Sequence, residues 1–315
     1  MRQSFRAAVL GAAVAAIAAI APAAAQESWP ERPIRMVVPY NAGGGTDLLA
    51  RILAEPLTDI LGQPVVVENR PGAGGTIGAD SVAKSEPDGY TAYMMANGHA
   101  IAAVVNAELP YEPADDFQPV SLVATMPLVI LANNDFPADD IAGAIELGKA
   151  DATAVDFAAV GVGSTQHFAG ALLFQVAGID ATYIPYERTP NAIAALISGE
   201  VPILVETLAP SLGQIAGGEV KALALTSAEG HPAVPDVPSV SEALPEYDVA
   251  TWYGVVFPAG TPREIVDKMN AAIREAIGRE EVRNQALEAA FLVTSSSPEE
   301  FDEHLRSEIE RWSQV

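Results

Sequence analysis

Short β-branched runs alternate with longer amphipathic ones along almost the whole sequence, and the early β-runs end in clusters of glycine. That alternation restricts the fold to α/β layers built on mainly parallel sheets. Residues 34–39 (IRMVVP) predict a strand. Residues 47–61 predict a helix, with Leu48, Ile52, Leu53, Leu57 and Ile60 on one apolar stripe. Residues 64–68 (PVVVE) are a second strand, 77–84 a second helix, and 90–95 a third strand ending at Asn97-Gly98-His99. Further strands are expected at 128–132, 156–160, 182–185, 201–205, 220–226 and 251–257. Helices are expected at 166–177, 190–198 and 263–277, and two more finish the chain.

The first residues read as a secretory signal. Arg2 and Arg6 precede an uncharged run of 15 residues, 7–21, and Ala23-Ala24-Ala25 offers a cleavage site before Gln26. The run is shorter than the roughly 20 apolar residues a spanning helix needs. Removing 25 of the 315 residues leaves a length that suits two domains. With no low-complexity linker between them, the lobes are expected to exchange chain on extended segments near 120–131 and 249–257. Lobe 1 is then discontinuous, 26–122 with 252–315, and lobe 2 is 123–251. The sequence holds no cysteine, which excludes disulfides, thiol nucleophiles and thiolate metal sites.

Acidic residues outnumber basic ones 41 to 17, for a formal charge of −24. Such a field repels nucleic acid and anionic lipid, so neither is an expected partner. It also sets a problem for any anionic ligand, which two glycine-rich turns can solve. The first is Tyr40-Asn41-Ala42-Gly43-Gly44-Gly45-Thr46-Asp47, and the second is Gly72-Ala73-Gly74-Gly75. Each follows a strand and opens a helix. Glycine removes the Cβ that would fend off a ligand, and the helix start supplies unpaired N–H groups at the positive end of its dipole. Two such ends side by side make an anion cradle that needs no lysine. One such turn alone is ordinary tight-turn chemistry; the pair is what points to a site.

Other chemistries fit less well. A dinucleotide fingerprint needs glycine where Ile77 and Leu48 stand, and there is no G-x-x-x-x-G-K-S/T. His99, His167, His231 and His304 are dispersed with no metal-binding spacing, so no metal or cofactor is expected. Ser164 lacks the G-x-S-x-G elbow. In the third turn, Gly161 to His167, Ser164 or Thr165 either caps the following helix or faces a ligand from the opposite lobe. Arg188, after the strand at 182–185, is either an ordinary surface arginine or a cation for a second carboxylate.

Six ordered segments resemble one known family: PYNAGGGTD (39–47), GQPVVVENRPGAGGTIGA (62–79), PDGYT (87–91), GVGSTQHFAG (161–170), PYERTPNA (185–192) and WYGVVFPAGTPREIV (252–266). They resemble the substrate-binding receptors of tripartite tricarboxylate transporters, the Bug family, over nearly the whole mature chain. The resemblance implies a two-lobed, type II-like periplasmic binding fold with the ligand cleft between lobes. It implies a non-enzymatic, monomeric periplasmic receptor that takes a di- or tricarboxylate, an amino acid or an aromatic acid. It also implies integral membrane subunits as partners. The alternatives are an exported hydrolase or lyase using Ser164, and a ligand receptor for a membrane sensor. Expected ligand contacts are the two glycine turns with Asn97, Gly98, Ser164, Thr165, Arg188 and Glu206. Glu206 stands where family members commonly carry Asp, and Glu187-Arg188 where they carry Lys or Gly.

Overall fold

The computed structural model describes residues 29–106 and 108–313. The signal expected at 1–25 therefore lies outside the described residues. The described chain forms one ten-stranded sheet in the order β2-β1-β3-β9-β4-β7-β5-β6, with β8 and β10 also paired to β4. Its strands are β1 (Ile34–Val38), β2 (Val65–Asn69), β3 (Thr91–Ala96), β4 (Phe117–Ala132), β5 (Phe157–Val160), β6 (Tyr183–Tyr186), β7 (Ile203–Thr207), β8 (Lys221–Leu225), β9 (Ala250–Pro258) and β10 (Leu292–Val293).

The helices are α1 (Gly45–Leu61), α2 (Thr76–Ala83), α3 (Gly98–Val105), α4 (Ile141–Ala150) and α5 (Thr165–Ala177). They continue as α6 (Thr189–Ile197), α7 (Leu208–Ala216), α8 (Arg263–Gly278), α9 (Glu280–Glu288) and α10 (Pro298–Trp312).

The two outer parts of the sheet are parallel: β1 pairs with β2 and β3 in one, and β5 with β6 and β7 in the other. The middle differs from a purely parallel expectation. β9 runs antiparallel to both β3 and β4, and β4 antiparallel to β7. The reason lies in β4 itself, which is long enough to serve both parts. Phe117 to Pro127 pair with β9, and Leu128 to Ala132 pair with β7. Its Pro119 lies beside a break in register, the kind of irregularity where a strand tolerates a residue without an N–H.

Successive side chains of a strand point to opposite faces, and here both faces are covered. Met36, Val38, Val129 and Leu131 enter one core, which α1 and α8 close with Leu49, Leu53, Leu57, Met269 and Ile273. Val37, Leu128, Ile130 and Trp252 enter the other, with Phe301, Leu305 and Trp312 of α10. Each fully buried aliphatic or aromatic side chain contributes about 1.5–3 kcal/mol. That explains why the β-runs read as continuously apolar rather than alternating. The second core holds one buried acid: Glu308 Oε2 accepts from both Trp252 Nε1 (3.0 Å) and Trp312 Nε1 (3.1 Å).

Candidate functional site

The C-terminal ends of β1 and β3 and those of β5 and β7 open on one cleft of about 1120 Å³. Three helices of the first part start there without a side-chain cap. In α1 the N-cap is Gly44, whose extended backbone (φ −82°, ψ 169°) is ordinary for any residue. The first intrahelical bond runs from Leu48 N–H to Gly44 O at 2.9 Å, so the amides of Gly45, Thr46 and Asp47 precede it. Gly44 has no side chain to offer them. The N-cap of α2 is Gly75 and that of α3 is Asn97, and neither makes a side-chain cap bond.

The second glycine turn is built differently from the first. Gly72, Ala73, Gly74 and Gly75 all take positive φ, at 133°, 47°, 67° and 103°. Only glycine does so freely, and Ala73 holds it at a cost of order 1–2 kcal/mol. Gly72 O ties the turn to itself by accepting from Gly75 N–H at 3.0 Å. Ala73 and Gly74 are left on the cleft wall.

The first turn is pinned from behind by Asp47, buried and facing away from the cleft. It accepts from Gly43 N–H (2.8 Å), Asn69 Nδ2 (3.0 Å) and Arg51 Nε (3.0 Å). Burial alone would raise this carboxyl, but the bonds from Arg51, Gly43 and Asn69 hold it below its ordinary value. Tyr40 lies against the loops; a Cβ at residue 98 would collide with its hydroxyl, which explains glycine there. Burial first, and Tyr111 second, push the Tyr40 hydroxyl up to about 12, so it stays neutral.

The second part of the cleft is already furnished with acceptors. Ser164 caps α5, its side chain accepting from His167 N–H at 3.2 Å, while His167 Nδ1 accepts from Gly163 N–H at 3.2 Å. At the start of α7, Glu206 is only 1% exposed. Its Oε1 accepts from Thr207 N–H (2.8 Å), Thr207 Oγ1 (3.1 Å) and Gln166 Nε2 (3.1 Å).

Of the sequence-expected residues, Tyr40, Gly43, Gly44, Gly45 and Thr46 line the cleft, as do Ala73, Gly74 and Gly98. Ser164, Thr165 and Glu206 line it from the other side. Asn41, Asp47, Gly72, Gly75 and Asn97 are not among its lining residues; of these, Asp47 anchors the first turn from behind, and Gly72 and Gly75 shape the second. Arg188, expected either as a surface arginine or as a cation for a second carboxylate, is also not among the lining residues. It is exposed and sits at the N-cap of α6, whose next residues Thr189 and Pro190 form the wall instead. No lysine or arginine lines the cleft among the described residues, and Glu206 is its one acid. Sequence reasoning missed Met126, Gln214, Thr251, Tyr253 and Phe291, all on the wall. Tyr253 and Phe291 meet edge to face at 5.3 Å. The one available signal was Tyr253, inside the WYGVVF segment.

The family model for the tripartite tricarboxylate transporter family receptor matches residues 49–315. The chain belongs to that family. Protein BugT of Bordetella pertussis is 35% identical over 311 residues, covering 98% of this chain and 95% of BugT. Among solved structures, MatC of Rhodopseudomonas palustris with bound malate is 34% identical with a TM-score of 0.78, covering 91% of this chain and 99% of MatC. Rpa4515 of R. palustris with adipate is 33% identical with a TM-score of 0.80, covering 91% of this chain and 96% of Rpa4515. The TctC/Bug receptors bind solutes and are not enzymes, and the fold is that of periplasmic binding proteins. No described helix of this receptor is long and apolar enough to cross a membrane.

Proposed function

We propose that this receptor works in the periplasm, clasps a small organic carboxylate and delivers it to the integral membrane subunits of a tripartite transporter. One observation carries the reading: uncapped helix starts and a positive-φ turn face a cleft with no cationic side chain among the described residues. Such N–H groups donate to a carboxylate and hold it in the field of a strongly acidic protein without a salt bridge. Malate and adipate in two relatives support the ligand class. The proximal carboxylate rests on Gly43 to Thr46, Ala73, Gly74 and Gly98, with the Tyr40 hydroxyl as a further donor. Ser164, Thr165 and Glu206 meet the rest of the ligand.

The receptor acts as a monomer after loss of residues 1–25, with two lobes (26–122 with 252–315, and 123–251) hinged where β4 and β9 pass between them. Isothermal titration of the purified receptor tests the reading against malate, adipate, aliphatic amino acids and aromatic acids. Binding of one class with no chemical change in the ligand supports it. Absence of binding across the panel refutes it.

A further inference from the structure

Three cleft-lining side chains hold buried polar atoms that no protein group satisfies. They are Glu206 Oε2, Gln214 Oε1 and Thr251 Oγ1. The first two can only accept while Glu206 is a carboxylate, so the demand of this end of the cleft is for donors. Glu206 shows the imbalance most clearly. Its Oε1 takes three donors, from Thr207 and Gln166, while Oε2, equally buried, takes none. A buried acceptor without a partner is costly, and a native site rarely keeps one without use.

The two walls of the cleft also differ in charge. In the first part α1, α2 and α3 start uncapped; in the second Ser164 caps α5, α6 and α7 have no side-chain cap, and the Glu206 carboxylate takes the Thr207 N–H just ahead of α7 and is the one acid among the described lining residues. Among the described residues no lysine or arginine lines it to neutralise a second ligand carboxylate, and Arg188 is exposed outside the lining. A dicarboxylate would set its distal charge against Glu206, whereas an ammonium would give Oε2 a charge-assisted hydrogen bond.

We infer that Glu206 is a specificity-determining residue that selects a carboxylate carrying an ammonium group at its distal end over the matching dicarboxylate. This rests on the carboxylate-receptor reading and narrows its ligand class. Gln166 holds Glu206 in place, and Gln214 and Thr251 supply further acceptors for the ammonium protons. Met126, Tyr253 and Phe291, which pack beside Gly45 at the start of α1, give the carbon chain leaving the proximal carboxylate a mainly apolar wall.

The test is titration of the full receptor with length-matched sets: γ-aminobutyrate, γ-hydroxybutyrate and succinate, then ε-aminocaproate, ε-hydroxycaproate and adipate. The amino acid of at least one set is expected to bind tenfold or more tighter than its dicarboxylate, with the hydroxy acid between them. Glu206→Gln keeps the shape and removes the charge. It should weaken the amino acid by about ten- to a hundredfold and strengthen the dicarboxylate, inverting the order. Glu206→Asp should fold and keep the order with reduced affinity, which separates a charge effect from damage to the α7 start. A wild-type preference for succinate or adipate that Glu206→Gln leaves unchanged overturns this inference, because the order would then not depend on the side chain at 206. It leaves the receptor reading standing. Failure of every carboxylate to bind sinks both.

Discussion

If the amides at the start of α1 hold the ligand carboxylate, a side chain that caps those same amides must compete with it. Gly44→Ser supplies one. The extended backbone at residue 44 is the geometry in which an N-cap serine accepts from the second or third helical N–H. Nothing in the protein obstructs the new side chain, the nearest atom to a Cβ there being Asn41 O at 3.6 Å. Stability should therefore rise by a few tenths of a kcal/mol, which for a protein this large moves Tm by about 1 °C at most. Binding should fall by the worth of one charge-assisted hydrogen bond, roughly 1.5–3 kcal/mol, or about ten- to a hundredfold in Kd. Gly44→Ala fills the same space without capping, so the difference between the two variants measures the competition for the amides alone. The assay is titration of both variants with whichever carboxylate the wild type binds, alongside thermal unfolding without ligand. Wild-type affinity in Gly44→Ser would refute the assignment of α1 as an anion site.

Three further outcomes follow from the structure. Asp47→Asn should lower stability by about 1 kcal/mol and loosen the Gly43 turn, with weaker ligand binding read by titration. Because the Asp47 carboxyl is held below its ordinary 3.8, its contribution is present above that value and is lost as pH falls through the lower folded one. His99 is pulled down to about 4 by burial, against a partial rise from its bond to Pro113 O. The unfolded state then binds the extra proton between the ordinary 6.5 and about 4, so stability falls by roughly 3 kcal/mol across that window. His99→Gln should flatten this acid limb in urea titrations at a series of pH values. Glu308→Ala leaves two buried indole N–H groups without an acceptor and should cost about 2–5 kcal/mol in chemical denaturation.

The parallel strands and the helices behind the glycine turns were legible because both faces of the sheet are buried and because helix period and glycine mark the boundaries. β4 upstream of Leu128 was expected only as an extended crossing from about residue 120, not as a paired strand from Phe117. Pro119 and Pro127 interrupt its pattern, and pairing with β9 on an irregular register is what makes that stretch a strand. Helix α3 escaped because it begins two residues after β3 ends, and its apolar run has no polar face to give a period. α4 and α7 also went unread; α7 is short and contains Pro210. At the site, local chemistry was readable and its direction was not. The motif placed Ser164 at a turn, but only the fold shows its hydroxyl oxygen accepting from His167 N–H, which leaves its O–H to donate. Glu206 stood out as a departure from the family. Besides its neighbour Thr207, the side chain that donates to its Oε1 is Gln166, forty residues away in sequence, where no local pattern connects them.

β9 sits between β3 and β4, yet it is the last long strand that synthesis delivers. When residues 29–132 have emerged, β3, buried along its whole length in the finished protein, has an unpaired edge, and so does the first part of β4. By contrast, residues up to Leu225 complete β5 to β8 and their pairing with the end of β4. The half of the sheet made later is thus the first that can be finished, and the N-terminal half must wait for the chain to return. An open apolar edge held for that interval is a template for pairing with other chains. Export in an unfolded state would keep that edge from forming until the whole chain is across and can close it in a single step.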